Sequence, residues 1–399
     1  MTRFTIASFN VKNLIEAEQE YYRFEDYTPE EYAWKRGWLA DQLLTMHADI
    51  VCFQEIFSEA ALRDVIIEAD EMGMAANEAH IPDGSKRYAH KAIFRKLAYQ
   101  PYTEATLAFA PNSFDGDAGQ RRPGVAILSR FGFEGLPEVI QDLPEPLTVP
   151  FSDLDGSDSG SYQITRLSRP ILKVRIAIAD QVVTVFNCHL KSKLGEFSKP
   201  AGAAFPPAAD LMNYDPAARA MGALRAALRR MAEAWVLRAA ILEELKADRP
   251  VMVLGDFNDS EHAVSSEIIT GEAPFKNYAW MRRHDAETER DRYTDAENKV
   301  IQEALGSVRL HSAEKLFVKK SLRDMVYTSA FGGVFESIDQ ILMSRHFIAD
   351  HPGRIGEMEY FSVLNDHLTD GSHPEAPYNK LASDHGQIIA HMLLVDPDD

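Results

Sequence analysis

Several features that would fix the class of a chain at once are scarce here. Of 399 residues only two are cysteine, Cys52 and Cys188, and both lie inside apolar runs. Two thiols build no disulfide framework, and their spacing matches no zinc pattern. They are expected to be small buried groups. No apolar run approaches the roughly 18 residues of a membrane helix. The opening "MTRFTIASFNVKNL" reads directly as a strand and carries no apolar signal core. A soluble, cytoplasmic protein with no membrane partner is the expectation. Positive charge is also short: 42 Lys and Arg against 61 Asp and Glu leave a formal net charge of −19. Such a surface repels polyanions at long range and excludes a global nucleic-acid footprint. A phosphate ester stays possible as substrate, because a bound divalent cation can supply the missing positive charge.

Apolar residues make up 45% of the chain, enough for a large core. Short runs rich in Val, Ile and Phe recur: "RFTIASFNV", "ADIVCFQEI", "GVAILSR", "RPILKVRIAIA", "QVVTVFNCHL", "PVMVLGDFN", "ESIDQILMS" and "HGQIIAHMLLV". Their length and β-branching predict strands. Helical patterns alternate with some of them. "PEEYAWKRGWLADQLLTMH" opens with Pro and acids, and "SEAALRDVIIEADEMG" offers Ser58 as a cap and Gly73 as a stop. The longest predicted helix runs from Asp215 to Lys246. Met221, Leu224, Leu228, Met231, Trp235, Leu242 and Leu245 mark its apolar face, and Arg219, Arg225, Arg229, Arg230 and Arg238 its solvated one. Arg219, near its start, is a candidate to point toward a site. The turn-rich stretches "PNSFDGDAGQRRPG", "PEPLTVPFSDLDGSDSGSYQ", "SKPAGAAFPPAADLMNYDP" and "NDHLTDGSHPEAPYNK" are predicted loops. A faint echo links "FTIASFNVKNL" with "VTVFNCHLKSK".

The strand runs end in polar groups: Asn10, Glu55, His189, Asp256, Asn258, Asp339, Asp384 and His385. A charged residue at the tip of a buried strand is costly unless it is paired or holds a cation. One such residue is an ordinary turn residue. Eight in six segments, all Asn, Asp, Glu or His, form a set of hard ligands and proton-transfer groups. That set suits Mg2+ or Mn2+. In an extended "GDFN", Asn258 projects to the same side as Asp256.

The ordered motifs "SFN", "QE", "HLK", "GDFN", "SIDQIL" and "SDH" resemble those of the endonuclease/exonuclease/phosphatase superfamily, the deoxyribonuclease-like fold. The resemblance spans Asn10 to His385. It implies an α/β architecture, a four-layer α/β/β/α sandwich of two packed mixed β-sheets. It also implies one catalytic domain over residues 1–399, with a helical insertion around 194–247. By resemblance Glu55 is the principal metal carboxylate, with Asn10 and Asp384 near the ion. Asp256 orients or deprotonates water, and Asn258 holds water or phosphate. Asp339 and His385 form a carboxylate–histidine pair, and His189 contacts a phosphoryl oxygen or assists the leaving group. Lys191, Arg122, Arg219 and Tyr327 are candidate substrate contacts, with Lys193, Arg121 and Arg323 as weaker ones. The implied activity is metal-assisted hydrolysis of a phosphodiester, nucleic acid or a nucleotide-like diester included. The alternative is a phosphatase for a small or lipid monoester. Ser337 and Gln340 in "SIDQIL" depart from the Cys-Asp-Arg run of inositol-polyphosphate phosphatases.

Overall fold

The computed structural model describes all residues except 22–24, 79–97, 113–121, 151–160, 200–201, 203, 274–281, 286–289, 321–325, 371, 373–378 and 396–399. In chain order its strands are β1 (Thr2–Leu14), β2 (Ile50–Ile56), β3 (Thr106–Ala110), β4 (Gly124–Ser129), β5 (Glu138–Pro150), β6 (Ser161–Ile178), β7 (Gln181–His189), β8 (Val251–Asp256), β9 (Arg282–Asp285), β10 (Arg290–Arg292), β11 (Leu310–Ser312), β12 (Ser329–Phe331), β13 (Val334–Glu336), β14 (Asp339–Ser344), β15 (Gly356–Leu364) and β16 (Gln387–Leu394). The α-helices are α1 (Pro29–Met46), α2 (Glu59–Glu78), α3 (Pro216–Lys246), α4 (Val264–Thr270), α5 (Asp295–Val308) and α6 (Ala313–Lys320).

Two six-stranded sheets form, in the orders β15-β16-β1-β2-β4-β3 and β11-β14-β8-β7-β6-β5. Alternation along each strand decides what each face covers. In β1, Phe4 and Ile6 join Cys52, Val125, Val185, Met252 and Ile341 in the layer between the sheets. Ala7 and Phe9 face the other way, onto Leu39 and Leu43 of α1 and Leu62 and Val65 of α2. On the second sheet, Phe186, Val251 and Val253 pack against Val236, Leu237 and Ile241 of α3. The layers are therefore helix, sheet, sheet, helix, as expected. Both cysteines are free and buried. Burial raises both thiols above their ordinary range.

The sheets are built alike. Each is mainly antiparallel around one parallel pair, β1 with β2 in the first and β7 with β8 in the second. The faint echo between the β1 and β7 sequences falls on equivalent positions of these two pairs.

Three local expectations are corrected. Gly73 does not stop α2, which continues to Glu78. The position is glycine because the Tyr99 ring lies there: an added Cβ would come within 2.2 Å of it. The stretch around Pro144 and Pro146 is strand β5, not loop. It is the edge strand, and its register shifts between Asp142 and Leu147, where a missing N–H costs least. The faces of α3 are only partly as predicted: Leu245 and Leu228 do pack inward. Leu224 and Trp235 are exposed, while Arg225 and Arg230 are buried. The inward face is lined by Ala, Val and Ile together with charges that find partners. Arg230 Nε donates to Asp259 (2.8 Å), Arg229 Nε to Glu196 (2.8 Å) and Arg238 Nη1 to the Ile269 carbonyl (3.1 Å).

Candidate active site

Topology brings the polar strand ends together. The C-terminal ends of both parallel pairs lie at one rim, which places Asn10 and Glu55 opposite His189 and Asp256. β16 and β14 run antiparallel to β1 and β8, so their starts reach the same rim. Those starts carry His385 and Asp339. In register, Asp256 stands opposite His189 on one side and Asp339 on the other.

Asp256 is the hub. Its Oδ2 lies 3.1 Å from Asn10 Nδ2, 3.3 Å from His189 Nε2 and 3.7 Å from His385 Nε2. The preceding Gly255 is required by close approach: at φ 144° an added Cβ would sit 1.9 Å from the Cys188 carbonyl oxygen. Asn258 reaches Asp256 differently from the extended projection expected. It adopts φ 52°, its N–H donates to Asp256 Oδ1 (2.8 Å), and its Nδ2 lies 3.2 Å from Asp256 Oδ2 and 3.0 Å from the Leu190 carbonyl. An Asx turn of this kind satisfies a strand end locally, which the extended form cannot do.

Glu55 sits at φ 64°, where β2 shifts register against β4. Left-handed backbone at a non-glycine residue costs energy and must be held by its surroundings. The Asn13 N–H holds Glu55 Oε2 at 3.0 Å, and Asn10 Nδ2 lies 3.4 Å from Oε1. Lys12 and Asn13 are also left-handed, so both strands break regularity together.

His385 Nδ1 lies 2.8 Å from Asp339 Oδ2. Burial lowers this imidazole, but the carboxylates of Asp339 and Asp256 outweigh it and hold His385 well above the usual histidine range. His189 goes the other way: burial, then Arg169, keeps it well below. The site therefore holds one cationic and one neutral imidazole. Asp256 is pushed up to about 7, chiefly by burial, with His385 opposing and Asp339 adding to the rise.

The remaining predicted residues lie farther out. Asp384 is half-exposed and faces Lys12 Nζ at 3.7 Å. Lys191 Nζ folds onto the Leu194 carbonyl (2.9 Å). Lys193 Nζ pairs with Glu336 (3.0 Å). Arg219 turns to its own segment, with the guanidinium 4.9 Å from the Phe197 ring centroid and a bond to the Ala208 carbonyl (3.0 Å). Tyr327 meets Phe335 edge to face at 5.1 Å. Arg122 is half-buried just before β4, and Arg121 and Arg323 lie outside the described residues.

Several positioning groups had no signal in the sequence. Ser383 Oγ donates to the Asn10 carbonyl (2.6 Å) and accepts from His385 N–H (3.0 Å). Thr328 Oγ1 accepts from Asp339 N–H (3.1 Å). Asn187 Nδ2 crosses between the sheets to the Phe53 (2.9 Å) and Ala126 (2.8 Å) carbonyls. Lys35, wholly buried, bonds the Val11 (3.0 Å) and Leu381 (3.1 Å) carbonyls, and burial pushes it down to about 7.

A hard divalent cation fits this donor set. Polar atoms of Asp256, Asp339 and His385 gather within 4.8 Å of one another, and with His385 held as a cation the oxygen donors left for the ion are the carboxylates of Asp256 and Asp339 and that of Glu55, which shares the Asn10 amide with Asp256. The buried Asp339 Oδ1 has no hydrogen-bond partner. Asn10 Nδ2 is shared between Asp256 and Glu55, so a single neutral amide stands between two carboxylates that both call for positive charge.

The chain belongs to the endonuclease/exonuclease/phosphatase family, whose model matches residues 7–385. Members of this family are hydrolases of phosphoesters and generally depend on divalent metal. No curated protein matches the chain. Among solved structures it is similar to an endonuclease/exonuclease/phosphatase family protein of Bacteroides thetaiotaomicron (14% identity, 99% of this chain and 98% of that one, TM-score 0.46). It is also similar to the catalytic domain of human Nocturnin (12%, 98% and 95%, 0.42) and to a Bacteroides thetaiotaomicron mannosyl-6-phosphatase (12%, 98% and 100%, 0.43).

Proposed function

We propose that this protein is a divalent-metal-dependent phosphodiesterase that cleaves by in-line attack of water. The observation that carries this is the convergence of Asp256, His189, His385–Asp339 and Asn10–Glu55 at one rim. Glu55 and Asn10 would hold Mg2+ or Mn2+, with Asp384 beside them. The ion supplies charge neutralisation at the phosphoryl oxygens and the leaving oxyanion. Asp256 accepts the proton of the attacking water, and its Asx turn with Asn258 fixes the carboxylate. The imidazolium of His385, kept charged by Asp339, binds a non-bridging oxygen. His189 is held neutral and donates through Nε2.

The test is turnover with Mg2+ or Mn2+ of bis-p-nitrophenyl phosphate, plasmid DNA, RNA and p-nitrophenyl phosphate. Diester hydrolysis should exceed monoester hydrolysis and vanish with EDTA. Faster release from the monoester would replace this reading with the phosphatase one.

A further inference from the structure

Most cations flanking the site are neutralised by a carboxylate. Lys12 faces Asp384 (3.7 Å), Lys193 pairs with Glu336 (3.0 Å), Arg229 with Glu196 (2.8 Å) and Arg230 with Asp259 (2.8 Å). That is the expected state in a protein of net charge −19. Arg169 departs from it. Among the described residues its guanidinium makes one long hydrogen bond, Nη1 to the Leu190 carbonyl at 3.4 Å, and no carboxylate pairs with it. Asn258 Nδ2 donates to the same carbonyl at 3.0 Å, so the guanidinium and a site amide converge on one oxygen. Arg169 also acts electrostatically on His189, second only to burial. Beside it, Lys191 has its ammonium on the Ser192 and Leu194 carbonyls and no carboxylate in contact. The two cations stand together on the His189 flank; the carboxylates of Glu196 and Glu233 act on Lys191 from a distance, while Arg169 has no acid in contact among the described residues and most of its five N–H donors remain available.

We propose that Arg169 anchors an anion subsite for an acidic group of the substrate other than the phosphate cleaved, with Lys191 adding positive potential. This rests on the phosphodiesterase reading of the site. Sheet geometry sets the spacing. Asp256 is on β8 and His189 opposite it on β7, while Leu172 of β6 pairs with Asn187 of β7, which brings Arg169 level with Leu190. Strands lie about 4.8 Å apart, so β6 is about 10 Å from the strand bearing the water-activating carboxylate. The substrate class is a phosphodiester bearing a second phosphate or carboxylate roughly 5–10 Å from the scissile phosphorus. A guanidinium fork binds such a group in a bidentate way that an ammonium cannot copy.

Two probes separate the two anions. Bis-p-nitrophenyl phosphate carries only the scissile charge, and a 5′-phosphorylated dithymidine dinucleotide carries a second. Binding is measured by calorimetry with Mg2+ on the full chain carrying Asp256→Asn, which blocks turnover. The dinucleotide should bind more tightly. Arg169→Gln should weaken it about tenfold to a hundredfold and leave bis-p-nitrophenyl phosphate within about threefold, as expected for loss of a charged hydrogen bond. Arg169→Lys should fall between and shows that the loss follows the anion contact, not folding. Absence of a preference for the dinucleotide, or an equal loss on both probes, would overturn the subsite. Failure of the unmutated chain to hydrolyse either probe would sink the phosphodiesterase reading, while the binding comparison would still judge Arg169.

Discussion

Asp256 is held by four polar neighbours, and its removal should be felt in chemistry more than in folding. Asp256→Asn and His385→Ala are each expected to lower kcat by about a hundredfold or more, with thermal midpoints little changed. Asp339→Asn has a sharper signature. It removes the carboxylate that does most to raise His385, so the imidazole loses its proton at lower pH. The alkaline limb of kcat/KM should move to lower pH in this variant; an unmoved limb would show that His385 does not act as a cation. At this scale the sequence was legible where a polar residue broke an apolar run, as in "VMVLGDFN". Ser383, Thr328 and Asn187 were hidden because each works through a contact with another element of the fold. A serine that bonds a carbonyl 373 positions away leaves no local mark.

The elements show where periodicity misleads. The leucine and tryptophan spacing of α3 found only part of the inward face: Leu228 and Leu245 pack inward, while Leu224 and Trp235 do not. Buried arginines are admissible when each finds an acid or a carbonyl, and that pairing cannot be read from spacing. Glu244 on α3 is the clearest case. It accepts from Arg249 (2.9 Å) and Thr184 (3.1 Å), pairs with Lys173 (3.0 Å), and is almost fully buried. Burial raises this carboxyl, but Arg249 and Lys173 outweigh it and bring it down to about 2. A carboxylate lowered by folding stabilises the protein above its unfolded pKa, and this contribution is lost as pH falls toward the folded one. Glu244→Ala should cost about 3 kcal/mol at pH 7 in denaturant unfolding. The gap from the parent should narrow between about pH 4.5 and 2; a constant gap would mean the loss is packing alone. By contrast α1 was legible to within a residue, because Thr28 and Glu31 make a local capping box and Pro29 opens the helix.

At the scale of the whole molecule, the layer order was implied by the family resemblance that the motif series carries, while the pairing of the two sheets was not. Convergence depends on two parallel pairs whose ends meet across a shared core. Asn187 pins that meeting from below, bonding two carbonyls of the opposite sheet and accepting from Gln54 Nε2 (2.7 Å). Asn187→Ala leaves these groups buried and unpaired, and should lower stability by about 3 kcal/mol in denaturant unfolding. Activity should fall as well, because Glu55 follows Gln54 directly. Full activity in a destabilised Asn187→Ala protein would show that the sheets hold their alignment without this link.

The position of β1 between β2 and β16 has a consequence for biosynthesis. β1 cannot complete its pairing until β16 has been made, and His385 is translated just ahead of that strand. A nascent chain on the ribosome therefore lacks the full set of rim residues, and the sheet that aligns them, until Leu394 has been added.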